Sequence, residues 1–348
     1  MGRKKYTAAI VGTGRIGFTL GFDRKREQPA SHTMALKANR RIKLIAGCDT
    51  DRARLEQWGH YVRETALCPD VANLFASHNP DIVTVAVNEN CHLQCAVNAI
   101  NAKPRLIILE KPVALNMKEG RELLFAAKTR QVPVLVNHER RFATDYILAK
   151  NFMGRIGKIQ TINARLDSGL YVYNPEKESS GEYSLLHDGT HLVDIVQFLL
   201  EKDDFDPASE TPLLVSPKLS AVYYDRENPS VVRNATVHYK SEVCNDINLF
   251  FSGRSRYFGF EVEVIGTEGR FKIGNGIHEF YTRQESKLYS GFYSLLPDKS
   301  VKIPGKTGYF SNMVQNAVDF LDGKAPLKST LQTGLRALSV LEDIKNIL

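Results

Sequence analysis

Tyr6-Thr7-Ala8-Ala9-Ile10-Val11-Gly12-Thr13-Gly14-Arg15-Ile16-Gly17 decides the fold of this chain. An apolar run of strand character leads straight into Gly-x-Gly-x-x-Gly. In that pattern Gly12 permits a tight turn, Gly14 lets the backbone approach a pyrophosphate, and Gly17 lets the next helix pack on the strand. With Arg15 and Ile16 between them, the glycines read as a dinucleotide loop whose helix N-terminus attracts the phosphates. Arg41–Cys48 is the second strand candidate, and Asp49 follows it directly. A carboxylate there accepts hydrogen bonds from the adenosine ribose hydroxyls and repels a 2′-phosphate, which favours NAD over NADP. Arg52 pulls the other way, because an arginine near that acid can reach a phosphate. The acid normally lies about 20 residues beyond the glycines. Here the segment Phe18–Ser31 lengthens the gap. It carries Arg24, Lys25, Arg26 and Pro29 and reads as a basic loop before a helix near His32, either a solvated surface loop or a lid.

Working outward, Ile82–Val87, Leu106–Leu109 and Val132–Val136 are further apolar strand candidates. Helical patterns such as Arg52–Gln57 and Met117–Lys128 fall between strands. This alternation predicts a doubly wound parallel sheet with helices on both faces. Ligands bind beyond the carboxyl ends of such strands. Gly12, Asp49, Asn88, Glu110-Lys111 and Asn137-His138 each follow a strand and so converge on one edge. The pattern changes after residue 143. Val231–Tyr239 alternates, and Asp246–Ser252, Glu261–Ile265 and Arg270–Ile273 look like strands, with Gly266-Thr267-Glu268-Gly269 as a hairpin turn. Two helices close the chain, one through Phe310–Leu321 and one starting near Ser329. The expected fold is α/β: a Rossmann domain over residues 1–143, then an α+β domain over 144–348 with a large, open, mainly antiparallel sheet. The loop Tyr171–Gly181 is polar and reads as mobile.

The 348 residues, 43% hydrophobic and 24% charged, fit an ordinary two-domain globular protein. The formal charge of +7 favours an anionic ligand. It does not point to nucleic acid, because the basic residues are scattered apart from short groups at Arg3–Lys5, Arg24–Arg26, Arg40–Arg41 and Arg140–Arg141. The charged start carries no secretory apolar core, and no apolar run reaches membrane-spanning length, so a soluble, cytoplasmic protein is expected. Five cysteines read as thiols in a reducing compartment. Cys91, His92 and Cys95 lack a second ligand pair nearby, so no metal is expected.

The chain resembles the Gfo/Idh/MocA family, named for glucose-fructose oxidoreductase and inositol dehydrogenase. The resemblance rests on Gly12–Gly17, Cys48-Asp49, His92, Glu110-Lys111-Pro112, Arg140-Arg141-Phe142, Gly154-Arg155-Ile156-Gly157, Asp188-Gly189-Thr190-His191 and Ile265–Gly269. It implies hydride transfer between a nicotinamide and a sugar or polyol carbon, and a second sheet used for assembly into dimers or tetramers. It further implies that Asn88, His92, Glu110 and Asn137 belong to the cofactor site and that Lys111 lies beside the nicotinamide and the reacting hydroxyl. A lysine there can relay a proton.

Leu186–Leu200 reads as one amphipathic helix whose first turn carries His187, Asp188 and His191. His191 is the expected general acid or base, since an imidazole exchanges protons near neutral pH. Many family members carry an Asp four residues before this His; here that position is His187 and the acid is Asp188. Asp188 either acts on substrate or caps the helix, and His187 either replaces the missing Asp or packs. Arg140 and Arg141 either bind substrate or brace the domains, with Arg141 the substrate candidate. The leading expectation is an NAD-dependent dehydrogenase of a nucleotide-linked sugar. A free polyol or inositol is the runner-up. A non-catalytic NAD-binding regulator and a redox-neutral NAD-using lyase are the alternatives of another class.

Overall fold

A computed structural model describes residues 5–202 and 204–348; Arg3 and Lys4 of the basic start lie outside them. The chain divides into two compact units. The first comprises residues 1–143, 207–209 and 306–335; the second comprises 144–206, 210–305 and 336–348. The expected boundary after 143 is one of several crossings, and the return of 306–335 to the first unit was not foreseen. Its cause is apolar: Phe310, Met313, Val314, Ala317 and Val318 are buried in the same cluster as Ile10, Ile82, Leu106 and Leu135.

The first unit is built on a six-stranded parallel sheet. Its strands are β1 (Tyr6–Val11), β2 (Ile42–Cys48), β3 (Ala66–Cys68), β4 (Ile82–Val85), β5 (Leu106–Leu109) and β6 (Val134–Val136), in the order β3-β2-β1-β4-β5-β6. That order is the doubly wound nucleotide-binding one, with the crossover between β1 and β4. β4 and β5 are buried at every position, as their uninterrupted apolar sequence requires. The helices are α1 (His32–Ala38), α2 (Arg52–Val62), α3 (Val71–Ser77), α4 (His92–Asn101) and α5 (Met117–Arg130). Polar residues set their starts: the side chains of Ser31, Asp51, Asp70 and Asn116 accept the first free amides of α1, α2, α3 and α5. β3 was missed because its three residues carry no pattern and lie at the sheet edge.

In the second unit α6 (Thr144–Phe152) precedes β7 (Ile159–Asp167), then come α7 (Ser184–His187) and α8 (Gly189–Leu200). The sheet continues with β8 (Val215–Tyr224), β9 (Val232–Lys240), β10 (Ile247–Ser252), β11 (Gly259–Gly266), β12 (Gly269–Gly274), β13 (Ile277–Glu285) and β14 (Tyr293–Pro297). Its order is β14-β13-β12-β11-β7-β10-β9-β8. All neighbours are antiparallel except β7 and β10. The alternation of β9 holds, with Ala235, Val237 and Tyr239 buried on one face. Ile162, Leu249, Phe251, Val262 and Phe271 extend that buried face. The opposite face is polar, with Lys272 paired to Glu261 at 2.9 Å and Arg270 to Glu263 at 3.4 Å. The closing helices are α9 (Tyr309–Leu321) and α10 (Leu331–Ile347). Among the described residues no helix is long and apolar enough to cross a membrane. The 171–181 loop is not free of structure: Val172 is buried, Tyr173 bridges Val232, and Asn174 caps a short turn at Pro175–Lys177.

Candidate functional site

The glycine loop follows β1 at the crossover. Gly12 has φ +96°, and a Cβ there would stand 2.4 Å from the Ala86 carbonyl oxygen beyond β4. A Cβ on Gly17 would stand 2.0 Å from the Gly12 carbonyl oxygen. Both glycines are thus required by backbone contacts. Gly14 differs: its open side meets one neighbour within 4 Å, an Arg54 guanidinium nitrogen at 3.7 Å. A cradle that a side chain would fill is the shape a pyrophosphate needs, so the loop fits a dinucleotide.

The helix expected directly behind the glycines is not continuous. Phe18 N–H donates to the Gly14 carbonyl (2.9 Å), and a short turn runs over Thr19–Phe22. The chain then loops out and re-enters, with His32 N–H on Ile16 O (3.2 Å) and Thr33 N–H on Gly17 O (2.9 Å). Each bond spans 16 residues where a continuous helix spans four, so twelve residues are looped out. Gly17 and Asp49 are 32 positions apart; less those twelve, the gap is 20, the ordinary spacing. The loop is pinned at both ends. Phe18 is buried against Tyr61, and Glu27 accepts hydrogen bonds from the Thr307 and Gly308 amides at 2.7 and 2.6 Å. Arg24, Lys25 and Arg26 between them are exposed.

Asp49 ends β2 as expected, but its carboxylate is largely engaged. Oδ2 accepts from Thr13 N–H (2.8 Å) and Thr13 O–H (2.9 Å), and Oδ1 accepts from Asp51 N–H (2.9 Å). Arg52 turns away onto Glu56 at 2.7 Å. The arginine that faces the glycine loop is Arg54, held by Asp51 at 3.2 Å. Sequence reasoning missed both Thr13 and Arg54; the place of Arg54, two residues after Arg52 on a helix and so on another face, was the available signal.

Lys111 follows β5 and is half-buried, with a cis bond to Pro112. Beside it Glu110 is buried, 4% exposed. Its Oε1 stands 2.5 Å from His32 Nε2 and accepts from Asn137 Nδ2 at 2.6 Å, while Oε2 accepts the Lys111 amide at 3.2 Å. Burial alone would raise the Glu110 pKa, but the hydrogen bond and charge of His32, then Lys111 and Asn137, bring it down to about 2. His32 packs edge-on against Phe310 at 5.1 Å. His92 is buried, with Nδ1 2.6 Å from the Pro112 carbonyl and Nε2 3.0 Å from the Val87 carbonyl. Burial lowers its pKa, opposed by those two carbonyls. Glu110, His92 and Asn137 are thus hydrogen-bonded around the Lys111-Pro112 turn, His92 through the Pro112 carbonyl and Asn137 through Glu110. Asn88 is exposed after β4, and Gly14, Arg15 and Ile16 border solvent. Arg141 is buried, and its Nη1 donates to the Lys328 carbonyl at 3.4 Å within the first unit. All five cysteines are free, and burial pushes the Cys48 and Cys95 thiols up to about 12 and about 11.

In the second unit the expected single helix is broken at Asp188 into α7 and α8. Asp188 N–H closes on Ser184 O and His191 N–H on Asp188 O, both at 3.0 Å. Asp188 holds the N-cap position of α8 with no side-chain cap bond, so its carboxylate is not spent on the helix. His187, Asp188 and His191 are half-buried on consecutive turns. Gly189 fits them to the sheet, since a Cβ there would lie 3.1 Å from the Phe251 ring of β10. α8 is buried nearly all round, not on one stripe, with Asp194 and Gln197 inside.

The model of an oxidoreductase family with an NAD-binding Rossmann fold matches residues 6–138. The chain is 26% identical over 235 residues to the uncharacterized oxidoreductase C115.03 of Schizosaccharomyces pombe, covering 63% of this chain and 58% of that protein. It thus spans little more than half of that relative. It is 23% identical over 324 residues to scyllo-inositol 2-dehydrogenase (NAD(+)) of Bacillus subtilis, covering 92% of this chain and 87% of that one. In fold it is similar to the WlbA dehydrogenase from Bordetella pertussis in complex with NADH and UDP-GlcNAcA, with TM-score 0.76, 16% identity, and coverage of 100% and 96%.

Proposed function

We propose that this chain is an NAD-dependent dehydrogenase of a sugar derivative, on the premise that its residues 6–138 match the model of the Gfo/Idh/MocA oxidoreductases with their NAD-binding Rossmann fold. The observation that carries this is Lys111. It stands at the carboxyl edge of the sheet that presents the glycine loop, and its amide is held by a buried, ionised Glu110. A regulator that only senses NAD has no use for a lysine supported in this way. NAD, when bound, supplies the hydride acceptor. Gly12, Gly14 and Gly17 would hold its pyrophosphate, with Arg15 and Ile16 in the loop, and Asp49 would take a ribose hydroxyl. Lys111 would hold and pass on the proton of the reacting hydroxyl. In the second unit His191 is the proposed general acid or base, with Asp188 and His187 as neighbouring polar groups at the junction of α7 and α8.

The favoured substrate is a nucleotide-linked sugar. The formal charge of +7, the exposed Arg24–Arg26 tip, and the UDP-GlcNAcA bound by the WlbA dehydrogenase support it. A free polyol is the second reading, supported by the likeness to scyllo-inositol 2-dehydrogenase across 92% of the chain. We further propose a cytoplasmic enzyme that assembles through the polar face of the second sheet. Lys111→Ala is expected to lose about 10³-fold or more in turnover while NAD affinity stays within about twofold. A variant that turns over as the wild type does would remove Lys111 from the chemistry.

A further inference from the structure

Of the three glycines in the loop, two face backbone and one faces open space. Among the described residues the one group within 4 Å of that space is the Arg54 guanidinium, 3.7 Å from where a Gly14 side chain would begin. Asp51 holds it there at 3.2 Å from its position at the start of α2. We propose that Arg54 is a further dinucleotide-binding residue, taking an anionic oxygen at the adenosine end of the cofactor. The proposal rests on the NAD-binding reading above and names a contact that the glycine motif does not supply.

Three observations converge on it. The helix behind the glycines runs for barely one turn before the loop-out, and α1 proper has seven residues. The bonds of His32 and Thr33 back onto Ile16 and Gly17 carry the helical direction on into α1, so the positive end of the helix still stands behind the phosphate loop. A whole guanidinium charge beside Gly14 adds to that potential, and a phosphate oxygen is the acceptor its fork of donors fits best. Next, Asp49 has three of its acceptor positions filled by Thr13 and Asp51. It retains room for about one ribose hydroxyl rather than two, which weakens its discrimination against a 2′-phosphate. Last, Arg52 is committed to Glu56, which leaves Arg54 as the arginine of this helix turn aimed at the loop.

The oxygen could belong to the pyrophosphate, present in NAD and NADP alike, or to the 2′-phosphate of NADP. Dissociation constants for both dinucleotides, measured by calorimetry on wild type, Arg54→Ala and Arg52→Ala, separate these. Arg54 is exposed at its tip (side chain 59%), so its truncation is expected to leave the fold intact by circular dichroism. A loss of about tenfold for NAD and NADP alike places Arg54 on the pyrophosphate. A loss of about tenfold for NADP alone places it on the 2′-phosphate, and wild type then binds NADP within about tenfold of NAD. In both cases Arg52→Ala stays within about twofold of wild type. Unchanged affinity for both dinucleotides in Arg54→Ala overturns the proposal. Wild-type protein that binds neither dinucleotide overturns the cofactor reading itself, and this contact with it.

Discussion

Glu110 shows how a single buried carboxylate can be held ionised for the benefit of its neighbour. Its partners His32 and Asn137 lie 78 and 27 residues away in sequence, so no spacing announces them. The Gly-x-Gly-x-x-Gly loop is the opposite case: its constraints are local, and the contacts of Gly12 and Gly17 follow from the motif itself. The depressed Glu110 pKa carries a stability consequence. A carboxylate whose folded pKa lies below its ordinary 4.5 stabilises fully above that value and loses the contribution as pH falls towards about 2. Glu110→Gln should therefore be less stable than wild type at neutral pH, with the gap closing between about pH 4.5 and 2 in urea melts at stepped pH. A gap independent of pH would mean that Glu110 acts by shape alone. Gly17→Ala should cost about 3 kcal/mol or more, because its Cβ meets backbone that has nowhere to move.

The loop-out after Gly17 leaves a clear mark in the sequence, but its anchoring does not. Its basic composition and the helix near His32 were both legible. The stitching of His32 and Thr33 back onto Ile16 and Gly17 was not, since hydrogen bonds across a loop leave no periodicity. Nor was the clamp by Glu27, whose partners lie 280 residues on. Glu27→Ala should lower stability by about 1–2 kcal/mol and speed tryptic cleavage at Arg24–Arg26. Unaltered cleavage kinetics would show that the Thr307 and Gly308 amides do not hold the loop. Strands announced themselves when long and alternating or fully apolar, as β5 and β9 did. β8, β13 and β14 alternate too weakly, with exposed residues on both faces. Asp188 defeated the single-helix reading because its flanks are helical in pattern, and only the backbone shows the break.

At the scale of the whole molecule, the class of each sheet and the change near residue 143 were readable from strand–helix alternation giving way to period-two alternation. The return of 306–335 was not, because an amphipathic helix does not say which apolar surface it covers. A fragment ending at residue 143 lacks Phe310, Met313, Val314, Ala317 and Val318, which fill the core beside Ile10 and Leu135. It should give the near-ultraviolet dichroism of a loosely packed chain and bind no NAD, whereas a fragment with α9 restored in trans should recover both. A fragment to residue 143 that melts cooperatively would contradict this account of the core. The claim on which the rest depends is proton transfer at Lys111 during hydride transfer to NAD. It is tested most directly by near-ultraviolet absorbance of NADH, with wild type and Lys111→Ala each offered NAD and a panel of nucleotide sugars, free sugars and inositols. NADH is expected from at least one of these substrates with wild type and from none with the variant, although both bind NAD. Equal rates in the two proteins, or NAD bound by wild type with no NADH from any member of the panel, would contradict it.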